Sequence, residues 1–168
     1  MTTILRILRL IALSAWVGSL IFFGFTAKAA FSALSDPHQA GAVVRLAISS
    51  LHHLGLFAGG IYFLLTLVLL ATQGDSHPAR AAELALVVAM LGLTAYLQFS
   101  VIPRMERDRN SAPNGDVAST PMELPAHRHF DRLHRLSTRV EGAILIEGLL
   151  LLVLAPIHGR DNLDHFSL

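Results

Sequence analysis

Glu147 stands inside Gly142–Ala155, a stretch with no other charge, where the surroundings offer a carboxyl almost nothing to bond. An ionisable side chain in hydrocarbon is costly and is a functional candidate by default. At 1.5 Å rise per residue Glu147 lies roughly 12 Å from Ala155, close to the middle of a bilayer. The neutral acid is expected there. Tyr62, Trp16 or a serine of the 14–19 stretch falls at the same level and can hydrogen-bond it. The alternative is a carboxyl that carries a proton or a cation.

A second group of polar side chains falls at one level nearer the opposite face. Counting along each apolar run puts Glu141, Tyr96, Arg139, Gln98, His53, Lys28 and His134 at depths of roughly 21 to 32 Å. His52 and His53 differ by about 100° around a helix, so one of them points inward, and the deeper His53 is expected to be that one. On the last helix His134, Ser137, Thr138, Glu141, Leu145 and Gly148 share a face that should turn inward. Such a rim can bind a small anion, a polar substrate or a metal. His53 and His134 would contact the ligand, Arg139 or Lys28 would balance negative charge, and Glu141, Tyr96 and Gln98 would orient them. The competing reading is that polar side chains at headgroup depth cost little and need no ligand.

His134 and Glu141 are seven residues apart, roughly 10 Å along the axis, so they cannot both ligate one ion. His53 with His134 is the better metal pair. One imidazole from each of two facing helices is how bundles hold b-type haem, and copper is the other cofactor the pair would suit. His127 and His129 lie on a polar connection, while His38, His77, His158 and His165 read as surface residues.

These residues need elements to position them. Of the 168 residues, 53% are hydrophobic and only 15% charged, with mean hydropathy +0.55, which points to lipid as the main solvent. Runs near the 20 residues that span a bilayer place helices at about 5–28, 45–72, 80–103 and 130–156, joined by a polar loop at 104–127 rich in proline. The expected architecture is all-α, a single domain over 1–168 forming an antiparallel four-helix bundle integral to a membrane, with a bacterial cytoplasmic (inner) membrane as its location. Arg6 and Arg9 before the first run imitate a signal peptide, but Trp16 and Gly18 suit a retained, packed helix better. Lys and Arg number nine on the long-loop side against four on the side of the termini, which favours a cytoplasmic loop, whereas Arg6 and Arg9 by themselves argue for a cytoplasmic N-terminus.

Gly55-Leu56-Phe57-Ala58-Gly59 is a small-residue stripe that lets two helices approach closely, within the bundle or between copies. Zero cysteines exclude disulfides, thiolate zinc sites and iron–sulfur clusters. No long basic run suggests nucleic acid, and no hydrolase or nucleotide-binding signature appears. The expected partners are the bilayer and a homo-oligomer or larger membrane complex. A small binding, transport-accessory or assembly module fits better than an enzyme.

Trp16-Val17-Gly18 with Phe22-Phe23 and Phe31, Tyr96 with Ile102-Pro103-Arg104, and Phe130-Asp131-Arg132-Leu133-His134-Arg135-Leu136-Ser137 resemble the transmembrane-protein-205-like family. The resemblance extends over nearly the whole chain. It implies a four-helix membrane domain and brings no settled activity. More distantly, the layout is similar to four-helix membrane families tied to copper handling or haem synthesis, though the Met-rich or Cys stretches that would strengthen a copper reading are missing.

Overall fold

The computed structural model describes residues 2–73, 78–115, 117 and 120–157. The turn run at 74–77 with His77, and the tail with His158, Arg160 and His165, lie outside the described residues. Helix α1 spans Thr2–Ala33, α2 Pro37–Gln73, α3 Pro78–Tyr96, α4 Ile102–Asn110 and α5 Pro125–Ile157. Three of them open on proline, whose missing N–H costs nothing in a first helical turn. At α2 the preceding Asp36 completes the cap, its Oδ1 accepting the His38 N–H at 2.9 Å.

A π-helical turn, Leu97–Val101, joins α3 to α4 without a break, and the Ile102 N–H reaches back five residues to the Leu97 carbonyl. The cause lies one residue on. Pro103 has no N–H to give, and in a straight α-helix its ring would strike the carbonyl of Phe99. The wide turn rearranges the ladder ahead of it and rotates Gln98 relative to a regular helix.

Four rods pack together: α1, α2, α3 running into α4, and α5. Neighbours around the bundle are α1 with α2, α2 with α3, α3 with α5, and α5 with α1. Helices α1 and α3 therefore face each other across the core, as do α2 and α5. Leu13, Trp16, Tyr62, Val87, Met90, Leu97, Ile144 and Leu151 fill the interior. The outside is apolar too, with Phe22, Phe25, Leu46, Phe57, Phe99 and Val153 all exposed. Three helices, Thr2–Ala33, Pro37–Thr72 and Arg80–Asn110, are long and apolar enough to cross a membrane.

The helices outrun the expected spans at both ends. Residues 104–110, expected in the polar loop, continue as α4, and α5 begins at Pro125 rather than near 130. Polar side chains tie this extension together. His129 Nδ1 meets Asp108 Oδ2 at 2.7 Å, Glu106 accepts from Arg45 at 3.0 Å and from Arg109 at 2.7 Å, and the Arg109 guanidinium lies over the Phe130 ring.

Candidate functional site

Toward the long-loop end, the α2–α5 diagonal is bridged by a histidine. His52 is 1% exposed. Its Nε2 lies 2.5 Å from Glu141 Oε1 on α5, and its Nδ1 lies 3.0 Å from Gln98 Oε1 in the π turn. With the amide oxygen as acceptor, Nδ1 carries a proton and donates it. Nε2 and Glu141 then share one more proton, held on either partner. Glu141 Oε2 is buried without a hydrogen-bond partner among the described residues, although the side chain as a whole is 14% exposed. A buried oxygen with no donor invites a proton, a water or a cation.

This site differs from the expected rim in its histidines. His53 was to face inward, but it is exposed and its Nδ1 donates to the Ser49 carbonyl of its own helix at 2.7 Å. The phase of α2 decides between the two. His52 lies on the stripe that continues through Gly55, Gly59, Tyr62, Thr66 and Leu69, all buried, at helical spacings of three and four. The glycine motif marks this inner face in the sequence itself.

The inner face of α5 is likewise rotated from the expected one. Leu133, Ser137, Ile144, Gly148 and Leu151 are buried, while His134 and Thr138 are exposed, with His134 stacked along Phe130. His53 and His134 thus do not present imidazoles to the interior that a haem between α2 and α5 would occupy. Among the described residues no group of three or more His, Asp or Glu is placed to hold a metal ion. Tyr96, Lys28 and Arg139 are exposed, and Gln98 and Glu141 are the two expected residues brought together.

Glu147 lies six residues beyond Glu141, partly buried, with its Oε2 enclosed and lacking a hydrogen-bond partner among the described residues. Of the donors expected for it, Tyr62 and the two serines are engaged elsewhere or turned away, and no hydrogen bond from Trp16 reaches it among the described residues. Tyr62 donates to Glu83, Ser19 donates to the Trp16 carbonyl, and Ser14 is exposed.

A second cluster, not expected from the sequence, bridges the α1–α3 diagonal near the termini. Arg9 and Glu83 form an ion pair at 2.7 Å, their side chains 6% and 1% exposed. The Tyr62 hydroxyl donates to the same Glu83 oxygen at 2.5 Å. Arg9 also reaches Thr66 Oγ1 and the Ala155 carbonyl, each at 3.5 Å, and its guanidinium lies 5.3 Å from the Tyr62 ring centre. All four rods meet at this one guanidinium. Arg9 had the look of a flanking charge, yet the stripe Arg9, Leu13, Trp16, Leu20 runs at helical spacing and all four are buried.

Between the clusters sits the Trp16 indole. Gly55 and Gly59 of α2 lie directly against it, where a Cβ would overlap the ring; at Gly59 it would also come within 2.8 Å of Leu91 Cδ2. Gly148 serves the same purpose for Val17, which would lie 2.7 Å from an added Cβ. The glycine stripe is consumed inside the bundle.

Four packed rods with apolar exteriors and buried polar bridges define a helical bundle of the membrane type. The chain belongs to the DUF4149 family, a domain of unknown function, whose pattern matches residues 11–112. The match takes in α1 from its third turn through α4, including Trp16, His52, Tyr62, Glu83, Gln98 and Pro103, and stops short of α5. No curated protein and no solved structure matches the chain.

Proposed function

We propose that this protein is a four-span integral membrane protein, of the transmembrane-protein-205-like kind within its family, that works as a small binding, transport-accessory or assembly module. Its site is the His52–Gln98–Glu141 cluster near the long-loop face. A bacterial cytoplasmic membrane is the proposed location, with α5 as the fourth span. The carrying observation is the 2.5 Å bridge between His52 and Glu141, with a buried carboxyl oxygen beside it that has no donor among the described residues.

The chemistry of such a bridge is acceptance of a cationic species. Removing the shared proton leaves two acceptors, an imidazole nitrogen and a carboxylate, facing each other inside the bundle. A proton, a metal cation or an amine that enters between them restores the attraction. Gln98 holds the far side of the ring, so that Nε2 rather than Nδ1 is presented. Glu147, one level deeper, is the second carboxyl that a cation could reach. At the rim, the exposed Lys28, Tyr96, Arg139 and His134 are available to a ligand's polar end.

Thermal unfolding of the detergent-solubilised protein against a panel of metal cations and organic amines tests this reading. A ligand at one hundred times its Kd stabilises the fold by about 2.7 kcal/mol. The stabilisation should disappear in both His52→Gln and Glu141→Gln. If it survives in both variants, or if no cation or amine stabilises the wild type, the site assignment is wrong.

A further inference from the structure

Four arginines on α5 stand at a spacing of four, three and four: Arg128, Arg132, Arg135 and Arg139. At about 100° per residue they fall within an arc of roughly 60°. All four are exposed. Of the acids near them, Glu106 is engaged by Arg45 and Arg109, Asp108 by His129, and Asp131 by His127 at 3.8 Å, while Glu123 is exposed just before α5. Among the described residues, none of the four guanidinium groups makes a side-chain hydrogen bond or ion pair.

The same face continues down the helix as Ile146, Leu150 and Val153, all exposed. One angular sector of α5 therefore changes from wholly apolar to wholly guanidinium within about two turns. If α5 crosses the membrane, as proposed above, the change marks where hydrocarbon gives way to headgroups. Arg139 and Arg135 then lie at phosphate level. Arg132, roughly 10 Å above Arg139 along the axis, is within reach of its long side chain.

We propose that Arg128, Arg132, Arg135 and Arg139 form a ladder that binds the phosphate groups of anionic lipids in the leaflet on the long-loop side. Guanidinium suits the task because its planar fork pairs two N–H donors with two phosphate oxygens, which an ammonium cannot do. Arg128 stands farthest out and contributes mainly long-range attraction, which an anionic surface exerts within about 8 Å at physiological salt.

The test uses the full chain, which has no cysteine of its own. It is reconstituted in vesicles of phosphatidylcholine with a minor fraction of phosphatidylglycerol, then extracted gently, and the retained lipid is quantified. Wild type should enrich phosphatidylglycerol at least about fivefold, with the enrichment falling as salt rises and unaffected by millimolar inorganic phosphate. Replacing all four arginines by glutamine should abolish it, while replacement by lysine should retain part of it. Equal enrichment in wild type and the glutamine variant overturns the ladder, and competition by inorganic phosphate overturns its lipid source.

Ile146→Cys separates this proposal from the crossing of α5. Protection of that cysteine from an impermeant maleimide upholds the crossing whatever the lipid result. Ready labelling from water removes the crossing and the ladder together.

Discussion

The two diagonals of the bundle are bridged by different chemistry. Across α1 and α3, Arg9 and Glu83 are almost wholly enclosed, and Arg9 adds contacts to a hydroxyl, a carbonyl and an aromatic face. Across α2 and α5, a histidine replaces the arginine, and its carboxylate partner keeps some access to the outside. Arginine stays charged at any accessible pH, whereas imidazole gains and loses its charge near neutrality. The first bridge also holds atoms without hydrogen-bond partners among the described residues, Arg9 Nε and Glu83 Oε2, but both of its side chains are shut off from the outside. The second leaves its carboxylate partner partly open to the outside.

If that contrast is right, the largest loss of stability should come from breaking the enclosed pair. Glu83→Ala leaves Arg9 buried without its carboxylate, and such changes cost about 3 to 5 kcal/mol. The double change Arg9→Met with Glu83→Leu should recover most of the loss, because an apolar pair of similar volume avoids the desolvation cost. Trp16 is the single tryptophan and is buried, so its fluorescence reports unfolding in detergent directly. A Glu83→Ala protein as stable as wild type would remove the distinction between the diagonals.

The layer between the bridges supplies the next effect. Gly59→Ala pushes a methyl into the Trp16 ring and toward Leu91, and overpacking of this kind costs about 1 to 3 kcal/mol. Gly18→Ala, with nothing within 4 Å of its added carbon, should leave stability unchanged in the same fluorescence assay. In a Trp16→Leu background, where unfolding is followed by helical circular dichroism because the fluorophore is gone, Gly59→Ala should cost less than it does in wild type, which would show that the indole and not some other neighbour occupies the notch.

Removing the histidine bridge should cost less. His52→Ala gives up hydrogen bonds worth about 1 to 2 kcal/mol, and water can reach the partly exposed Glu141 left behind. A double-mutant cycle with Glu141→Ala isolates the pair, since both residues share one contact. Coupling as large as that of Arg9 with Glu83 would mean that the second diagonal is also a lock, and would weaken the reading of it as a binding site.

The helices were legible because hydrophobic length is a local property that a run of residues displays by itself. Gln98 and Glu141, expected at one level, do meet at a single histidine. Rotation was harder. Depth along α2 favours His53 over His52, while Gly55 and Gly59 fix which side of the helix meets its neighbour; phasing on those glycines selects His52. Arg9 was obscured for a different reason. A charge four residues before a core residue reads as a flank until its partner is known, and Glu83 lies 74 positions away. Glu147 was found by depth, and its missing donors follow from Tyr62 being drawn toward Glu83, a pairing that no local pattern announces.

The smallest effect belongs to a pair that resembles the first bridge in its charges and separation but not in its burial or its surrounding contacts. Arg45 and Glu106 meet at 3.0 Å across α2 and α4, with side chains 39% and 36% exposed. Water solvates both ions before and after folding, salt screens them, and Glu106 keeps Arg109 at 2.7 Å if Arg45 is lost. Arg45→Ala should therefore change unfolding by no more than about 0.5 kcal/mol, and less at high salt. Arg9 and Arg45 carry the same guanidinium at nearly the same distance from a carboxylate, so the ratio of the two losses measures what enclosure adds. If Arg45→Ala costs as much as Glu83→Ala, proximity rather than burial sets the energy, and the ranking of the two diagonals by enclosure falls with it.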